Sequence, residues 1–428
     1  MSFNQSDRQK DKIRELTLLL RNSYYKSHDT FLGNYPIPYG GNITESIGAW
    51  PEYILKGTFC KRSFNGLCSP CFYSRLPLNG HKREEYLAMV HKQCMHVVNN
   101  FKELVVDKQV GKTVIENQRY NGAPCSLVLT PTGSYFDNNE FPIEIRLEML
   151  EGLIHQANQY GVDIVLHIET HCDDFIQYDL SNGNAIREIE LLKQLNARII
   201  FGFESSDEYV RNVLYNKNLS RIDFEKAINK IFSLGLTPGA FVFAGLFAMN
   251  DKNTIFDISN TIEYLSSFGV MPVLMFQNVQ EYTLTDVLFK NCQIHLLEPF
   301  TVLQIVTDFL EKIRKEHMET LWLIADPIGG PPKPEFNIFD CATYTCKECS
   351  KKIYDLLCEV RLSRDIDAFL IKAKQIRNNS SCYSAYSDYL SNQNIDFDSL
   401  KSNTDRLIDK AQNLIYSYID EKSVLEDG

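Results

Sequence analysis

The sequence predicts an α/β fold, namely a partial or closed (β/α) barrel of about six to seven parallel strands. It also predicts an N-terminal helical extension and a small cysteine-rich unit at the C-terminal end. Two observations lead to this fold class. Short apolar segments alternate with longer helical segments from about residue 80 onward, and two groups of cysteines flank that alternation. We therefore expect an N-terminal helix and loop at 1–50, the barrel at 51–326 and a metal-binding helical unit at 327–428.

Length, composition and charge are those of an ordinary soluble protein. The chain has 428 residues, of which 44% are hydrophobic and 23% charged, and this is enough to bury a large core. It carries 44 basic and 55 acidic residues, and the net charge of −11 does not favour a strong non-specific grip on nucleic acid. No apolar run approaches the roughly 18 residues that span a membrane.

The cysteine usage indicates a reducing compartment. The 12 cysteines are too sparse and too clustered for a disulfide scaffold, and six of them fall into two triplets. The N-terminus offers only the apolar run 16–20, which is shorter than the core of a signal peptide. We therefore expect a cytoplasmic protein without a membrane anchor.

The N-terminal segment 7–24 is predicted to form an amphipathic helix, because Ile13, Leu16 and Leu20 recur at helical spacing among charged residues. We expect this helix to pack on the main body, and we interpret it as a leader helix without a function of its own. The following segment 31–50 is rich in glycine, proline and asparagine and is interpreted as a loop.

The main body alternates strand and helix. Strands are predicted at 53–55, 126–130, 163–169, 198–204, 241–244, 273–276 and 321–324. Helices are predicted at 82–104, 142–160, 184–195, 206–214, 221–234, 254–268 and 299–316. Pro142 opens one helix as a first-turn proline, and Ser220 is placed to cap another. The alternation predicts a parallel sheet with helices outside it, although a flat doubly wound sheet would produce much the same pattern.

Polar residues stand at the ends of several predicted strands. In a barrel or in a doubly wound sheet, the ligand site lies at the C-terminal ends of the strands. The residues found there are Cys60, Thr130, Glu169, Glu204 and Gln277. Because they follow successive strands, we expect them to converge on one mouth of the fold.

The triplet Cys60, Cys68 and Cys71 follows the first predicted strand and predicts one metal centre. Three thiolates are one fewer than a closed tetrahedral zinc site or a fully protein-ligated iron–sulfur cluster needs. A centre held there therefore keeps one position for another ligand. The alternative is a structural zinc site that His81 or Cys94 completes.

A second group of cysteines lies in the C-terminal unit, beyond the proline- and glycine-rich segment 327–334 that we interpret as a linker. Helices are predicted in this unit at 350–376 and 404–420. The candidate metal ligands are Cys341, Cys346, Cys349 and Cys382, whereas Cys358 is assigned to a helix core. A closed four-cysteine zinc site is our first hypothesis, because a small unit gains folding stability from a metal, and an auxiliary iron–sulfur cluster is the alternative.

With Cys60, Cys68 and Cys71 as ligands of a [4Fe–4S] cluster, the chain resembles the radical S-adenosylmethionine superfamily. Enzymes of that superfamily bind S-adenosylmethionine at the fourth iron, which has no cysteine ligand, and cleave the S-adenosylmethionine reductively. The resulting 5′-deoxyadenosyl radical abstracts hydrogen from an organic substrate. The spacing between Cys60 and Cys68 is longer than the one commonest in that superfamily.

Further motifs narrow the resemblance to a subgroup close to the elongator catalytic subunit, which includes the radical S-adenosylmethionine subunit of archaeosine synthases. These motifs are the segments 132–137, 141–142, 168–170, 202–207, 216–217, 278–280 and 283–284. The C-terminal cysteines and the segment 362–365 follow the same order as in that subgroup. The likeness extends from about residue 50 to residue 385.

The resemblance implies cofactor-binding roles for residues near the strand ends. Gly133 and Ser134 would let the backbone approach the methionyl group of S-adenosylmethionine, although a glycine that merely turns the chain is an alternative. Glu169 and Glu204 would hold its amine or ribose hydroxyls, or pair with a substrate cation, and helix capping is the alternative for both. No residue is assigned a catalytic role.

Other residues near the same mouth receive weaker assignments. Lys217 would bind the cofactor carboxylate or a substrate anion, with a simply solvated lysine as the alternative. Gln277 is a weaker candidate for cofactor binding. We interpret His167 and His171 as structural residues.

The function implied by the resemblance is a radical S-adenosylmethionine enzyme that acts on an amino-acid-modified deazaguanine base in tRNA. It would work with a partner transglycosylase that adds the amino-acid adduct, and with an external electron donor of the flavodoxin or ferredoxin type. The same chemistry on a small metabolite or peptide is an alternative. A non-catalytic protein with structural zinc at both cysteine groups is another.

Overall fold

A computed structural model describes residues 5–27, 39–40, 52–55, 60–71, 83–107, 125–131, 133–315, 323–324, 336–363 and 365–426. At its centre lies an eight-stranded sheet. In chain order the strands of the protein are β1 Tyr39–Gly40, β2 Glu52–Leu55, β3 Cys125–Pro131, β4 Ile164–Thr170, β5 Arg198–Glu204, β6 Thr237–Ala244, β7 Met271–Phe276, β8 Asn278–Val279, β9 Leu323–Ile324 and β10 Phe336–Asn337. Strands β8 and β10 form a separate antiparallel pair.

The order of the strands identifies the architecture. The sheet runs β1-β2-β3-β4-β5-β6-β7-β9, and each pairing from β2 onward is parallel. Strands are added in chain order without the reversal that defines a doubly wound sheet. Within the described residues β1 and β9 do not pair, so the sheet is an open barrel. The predicted α/β fold with a partial barrel is confirmed, and the seven parallel strands agree with the predicted number.

The core lies between this sheet and its helices. Strand β4 is buried at six of its seven positions, as expected for a parallel strand that is covered on both faces. Phe201 and Phe203 of β5 belong to the same buried apolar cluster as Leu150 and Leu192 of the surrounding helices. The continuous apolar character of the central strands therefore reflects burial rather than one-sided packing.

Helices follow the strands as the periodicity predicts. They are α1 Gln5–Ser27, α2 Lys61–Phe64, α3 Arg83–Asn99, α4 Ile143–Tyr160, α5 Cys172–Gln177, α6 Gly183–Gln194, α7 Arg221–Ser233, α8 Asp251–Ser267, α9 Leu284–Lys290 and α10 Pro299–Lys315. The Ser220 hydroxyl accepts a hydrogen bond from the Asp223 amide at 3.0 Å, so its predicted capping role is confirmed. Pro142 stands at the N-cap of α4, one residue before the predicted position. The helix predicted at about 206–214 is present from residue 208 and includes a π-helical turn at Val210–Leu214.

The C-terminal unit contains α11 Lys347–Ser363, α12 Ile366–Asn379, α13 Cys382–Ser391 and α14 Phe397–Glu426. The prediction of one helix at 350–376 was wrong, because the chain breaks between α11 and α12. Asp365 caps α12 by accepting a hydrogen bond from the Ala368 amide at 2.9 Å, and such a capping residue starts a new helix. Helices α5, α9 and α13 were missed because they are short.

A buried carboxylate is one of the contacts that fasten the C-terminal unit to the barrel. Glu298, just before α10, accepts hydrogen bonds from the amides of Thr343, Tyr344 and Thr345 at 2.7, 3.0 and 2.9 Å. It also accepts one from the Thr345 hydroxyl at 2.8 Å. The segment that leads into Cys346 is thus held by one side chain. The predicted linker 327–334 lies outside the described residues.

The two ends of the chain pack on each other. The Gln9 amide donates to the carbonyl of Lys401 in α14 at 2.9 Å, and Tyr209 donates to Gln9 Oε1 at 2.8 Å. Ile13 of α1 and Leu407 of α14 share one buried apolar cluster. None of the described helices combines the length and the apolar character needed to cross a membrane. The predicted loop 31–50 lies outside the described residues except for Tyr39–Gly40.

Candidate cluster and cofactor site

Residues 60–71, the cysteine loop, are tied to the segment that follows β5. Cys60 stands at the N-cap of α2, and Cys68 adopts a left-handed backbone conformation with φ +56°. The Cys68 amide donates to the Asn216 carbonyl at 3.1 Å, and the Ser69 amide donates to the Tyr215 carbonyl at 2.9 Å. The loop therefore lies at the C-terminal side of β5, where the ligand site of such a fold is expected.

The three sulfurs of the loop differ in burial and spacing from a single-ion site. Cys68 is buried, and Cys60 and Cys71 are half-buried. Thiolates on one tetrahedral zinc lie about 3.8 Å apart, because each Zn–S bond is about 2.3 Å. Among the described residues these three sulfurs are not a set whose members all lie within 4.8 Å of one another. Wider spacing suits an iron–sulfur cluster, in which each thiolate binds a different iron.

The zinc alternative gains no fourth ligand from the described residues. Cys94 is fully buried in α3, in the apolar cluster that contains Val90 and Val97. It joins no group of ligand atoms compatible with a metal ion in the part of the chain that the structure describes. The other candidate, His81, lies outside the described residues.

Two buried cations lie at the cysteine loop, namely Arg62 within the loop and Lys217 beside it. Arg62 donates to the Lys217 carbonyl at 2.5 Å and to Asp173 Oδ1 at 2.8 Å. The Lys217 ammonium donates to Glu204 Oε1 at 2.8 Å. Burial alone would lower the pKa of Lys217, but the Cys68 thiolate and the Glu204 carboxylate raise that pKa above its ordinary value. The same holds for Arg62, whose pKa Asp173 and Cys68 raise. Both cations therefore lie close enough to Cys68 for an electrostatic interaction with its sulfur.

The end of β5 is shaped to hold the Lys217–Glu204 pair. Glu204 has φ +72°, and the register of β5 against β6 shifts between Gly202 and Glu204. A Cβ atom on Gly202 would lie 2.2 Å from the Lys217 nitrogen, so only glycine leaves room for the pair. Two residues predicted to bind cofactor thus meet here and pair with each other.

The ends of β3 and β4 form a second polar group next to the loop. The Ser134 amide donates to Glu140 Oε2 at 2.8 Å, and the Ser134 and Thr170 hydroxyls are 2.8 Å apart. A Cβ atom on Gly133 would lie 1.8 Å from Glu140 Oε2, so this glycine makes room for a protein carboxylate. Burial raises the pKa of Glu140 to about 8. Glu140 was not among the predicted site residues, although an acidic residue just before the motif 141–142 was a usable signal.

His171, interpreted as structural, contacts the cysteine loop directly. Its Nε2 lies 3.8 Å from Cys60 Sγ, and its Nδ1 lies 3.3 Å from Asp174 Oδ2. Burial lowers the pKa of His171 to about 4 despite the opposing effect of Asp174, so the imidazole is neutral at pH 7. Lys61 pairs with Asp174 and, at 3.2 Å, with Asp137. Basic residues within a cysteine motif were the missed signal for this polar network.

The remaining predicted residues lie apart or are engaged elsewhere. The buried Gln277 accepts a hydrogen bond from the Leu297 amide at 3.2 Å, which uses its side chain to support the chain before α10. Glu169 is half-buried near the end of β4, and its carbonyl accepts from the Tyr135 amide at 3.1 Å. Buried His167 lies on the same strand. The side chain of Thr130 is outside the described part of the structure.

The C-terminal cysteines form a tighter group than the cysteine loop. The sulfurs of Cys346, Cys349 and Cys382 all lie within 4.8 Å of one another, and those of Cys346 and Cys382 are 3.6 Å apart. This spacing suits a single tetrahedral ion. Hydrogen bonds from Cys349 lower the pKa of the Cys346 thiol, which favours the metal-binding thiolate. Cys341 is not a member of this group of three, and Cys358 is buried as predicted.

Curated proteins of two archaea are similar to this chain, although no protein-family model matches it. Archaeosine synthase subunit beta of Methanosarcina acetivorans is 22% identical over 309 residues, which cover 71% of this chain and 76% of that protein. An uncharacterised protein of Methanocaldococcus jannaschii is 22% identical over 371 residues, 85% of this chain and 91% of its own length.

Solved structures give weaker similarities. Methylornithine synthase PylB has a TM-score of 0.37 and 14% identity, covering 90% of this chain and 99% of its own. Elp3 of Methanocaldococcus infernus has a TM-score of 0.37 and 15% identity; the match covers 55% of this chain and 52%, about half, of the Elp3 chain. The resemblance to archaeosine synthases that the sequence motifs indicate is confirmed by the first of these relatives: the chain is similar to archaeosine synthase subunit beta.

Proposed function

We propose that this chain is a radical S-adenosylmethionine enzyme that holds a [4Fe–4S] cluster on Cys60, Cys68 and Cys71. The observation that carries the proposal is the cysteine loop itself, which lies at the strand ends beside the buried cations Arg62 and Lys217. At least one pair of its sulfurs is more than 4.8 Å apart, farther than two thiolates on one zinc ion, and this supports a cluster. When bound, the cluster and S-adenosylmethionine supply a radical that abstracts hydrogen from the substrate.

The residues of the chain would bind and orient the cofactors and exclude water. Arg62 and Lys217 place positive charge close to the Cys68 sulfur, since interaction with Cys68 contributes to the raised pKa of both cations. Ser134 and Glu204 stand at neighbouring strand ends and remain our candidates for binding S-adenosylmethionine, together with Glu169. Gly133 acts indirectly by admitting Glu140. Gln277 is the weakest candidate, because it already binds the Leu297 amide.

The proposed substrate is an amino-acid-modified deazaguanine base in tRNA, by analogy with the archaeosine synthase relative. That relative is named as a subunit, so we also propose a partner subunit of the transglycosylase type, which adds the amino-acid adduct. Each turnover requires an electron, and we propose a small flavodoxin- or ferredoxin-type donor. A small metabolite or peptide is the second candidate substrate, favoured by the net charge of −11.

The test is formation of 5′-deoxyadenosine by anaerobically reconstituted protein with S-adenosylmethionine and dithionite. We expect Cys68→Ala to abolish product formation while the C-terminal metal is retained. Cys292→Ala is the matched control, because Cys292 is exposed and lies in no metal-compatible group among the described residues. If the wild-type protein forms no 5′-deoxyadenosine in the presence of adduct-bearing tRNA and candidate metabolites, the proposed radical S-adenosylmethionine activity is ruled out.

We further propose that the C-terminal cysteines bind a structural zinc ion. Cys346, Cys349 and Cys382 have the required spacing, and Cys341 is the proposed fourth ligand although it lies outside that group of three. Metal analysis should find about four irons and about one zinc per chain. About eight irons without zinc would identify an auxiliary cluster instead. Cys341→Ala should release the zinc, and retention of zinc would exclude Cys341 as a ligand.

A further inference from the structure

The N-terminal helix reaches the cysteine loop through one buried arginine. Arg21 of α1 is only 1% exposed. Its Nη1 donates to the carbonyls of Ser63 and, at 2.9 Å, Leu67. Its Nη2 donates to the carbonyls of Cys68 at 3.0 Å and Cys71 at 2.6 Å. One guanidinium therefore binds four carbonyls of the loop, two of which belong to proposed cluster ligands.

Two further residues on the same face of α1 complete this contact. Arg14 donates from Nε to the Asn65 carbonyl at 2.8 Å. A Cβ atom on Gly66 would lie 2.6 Å from Leu18 Cγ and 2.9 Å from the Arg14 carbonyl, so the loop backbone packs directly on the helix. Arg14, Leu18 and Arg21 have the i, i+4, i+7 spacing of one helical face. Helix α1 thus presents a continuous surface to the loop.

The loop has little regular structure of its own to hold it in place. Its helix α2 covers only Lys61–Phe64, and Gly66 and Cys68 both have positive φ. A non-glycine residue at positive φ is strained and keeps that conformation only when its surroundings impose it. Buried carbonyls that lose a charged donor are costly as well. Arg21 supplies the donors on one side of the loop, and the segment 214–217 supplies acceptors on the other.

We propose that Arg21 is a positioning residue for the cluster site, which makes α1 a part of that site rather than a leader helix. It holds the backbone that carries Cys68 and Cys71 in its ligand-presenting conformation, before a cluster is bound and afterwards. The inference rests on the proposed function only for the identity of the bound group. The hydrogen bonds between Arg21 and the loop carbonyls are expected equally in the metal-free chain.

The first test is hydrogen exchange of the metal-free protein. In Arg21→Met we expect the amides of Cys68, Ser69 and Cys71 to exchange at least about tenfold faster, because the loop loses four hydrogen bonds from one charged group. Arg21→Lys should lie between Arg21→Met and the wild type, since an ammonium lacks the planar fork that binds several carbonyls. Arg8→Met is the matched control, because the Arg8 side chain is 71% exposed on the same helix.

The second test follows iron release to a chelator from the reconstituted protein, with the electron paramagnetic resonance spectrum of the reduced cluster as a further readout. We expect at least about tenfold faster release and an altered spectrum in Arg21→Met, and wild-type behaviour in Arg8→Met. Wild-type exchange of the loop amides together with wild-type iron release in Arg21→Met would overturn the inference. If Arg21→Met fails to fold, wild-type exchange in Arg21→Lys would overturn it.

The two proposals fail in different ways. If the wild-type protein binds no iron, the proposed function fails. Hydrogen exchange of the loop amides in the metal-free Arg21 variants still tests the positioning role of Arg21. If the wild-type protein binds iron and forms 5′-deoxyadenosine while the Arg21 variants match it in exchange and iron release, only the positioning role fails.

Discussion

At the scale of single residues, the site depends on charges that are buried next to their partners. Lys217 and Glu204 are 9% and 3% exposed, and Gly202 leaves the space in which they meet. A buried ion pair does not necessarily stabilise a fold, but breaking one leaves an uncompensated charge in the interior. The pair is therefore sensitive to the loss of either partner.

Lys217→Met should lower the free energy of unfolding by about 3–5 kcal/mol, because the Glu204 carboxylate then remains buried without its cation. Urea denaturation measures this change. Lys226→Met, which removes an exposed pair with Asp223, is the control and should change stability by no more than about 0.5 kcal/mol. Adding Glu204→Gln to Lys217→Met should recover part of the loss. Equal effects of Lys217→Met and Lys226→Met would contradict this account of the pair.

A second residue-scale prediction concerns the buried Asp257 of α8, whose Oδ1 accepts a hydrogen bond from Ser205 at 2.5 Å. Burial raises the pKa of Asp257 from 3.8 to about 7. The folded protein then holds a proton that the unfolded chain releases, so this carboxyl makes stability fall as pH rises from about 4 to about 7.

Asp257→Asn should remove this contribution, which has a limiting slope of about 1.4 kcal/mol per pH unit. The measurement is the difference in unfolding free energy between variant and wild type at several pH values. The variant should gain relative stability as pH rises through this window and should show no further relative gain above it. A constant difference across the window would show that Asp257 titrates at its ordinary pKa.

At the scale of elements, the segments between helices carry the consequential contacts. The start of α10 binds residues 343–345 through Glu298, and the next helix, α11, begins beside Cys346. These hydrogen bonds, together with the contacts of Tyr386 with Thr301 and of Tyr389 with Asp251, position the C-terminal cysteines relative to the barrel.

Glu298→Gln should detach this segment, because an amide has one accepting oxygen where the carboxylate has two. We expect a loss of about 2–3 kcal/mol and faster hydrogen exchange at the amides of residues 343–345. Glu311→Gln, at an exposed position of α10, is the control. Unchanged exchange at 343–345 in Glu298→Gln would mean that other contacts hold the segment.

At the scale of the whole molecule, helix α1 links the C-terminal helix α14 to the cysteine loop. Helix α14 packs on α1, and α1 holds the cysteine loop through Arg21. A change in the C-terminal helix can therefore loosen a loop that is more than 300 residues away in sequence but close in space. Such coupling follows from shared packing of one buried apolar cluster.

Leu407→Ala tests this coupling. Leu407 is 1% exposed, and removing its buried methyl groups should lower stability by about 2–5 kcal/mol. The amides of α1 should exchange faster as well, and iron release from the cysteine loop should accelerate. Asp409→Ala, on the exposed face of α14, is the control and should change stability by no more than about 0.5 kcal/mol. Wild-type hydrogen exchange in α1 of the Leu407→Ala variant would show that the stability of α1 does not depend on its packing against α14.

The sequence by itself determined the α/β class, most strands and helices, the two cysteine groups and the resemblance to radical S-adenosylmethionine enzymes. These features are local: apolar period and motif spacing are written within short stretches of chain. The break before Asp365 and the short helices were not predicted, because their signals span only a few residues.

The tertiary structure decided which distant residues meet. Arg21 is 47 residues from Cys68, and Arg62 is 155 residues from Lys217, so no periodicity relates either pair. The N-terminal helix came into contact with the cysteine loop, His171 came into contact with Cys60, and the Gln277 side chain was engaged by the Leu297 amide. Such contacts arise only when the sheet and its helices bring separate segments together, and local sequence patterns do not encode the resulting distances.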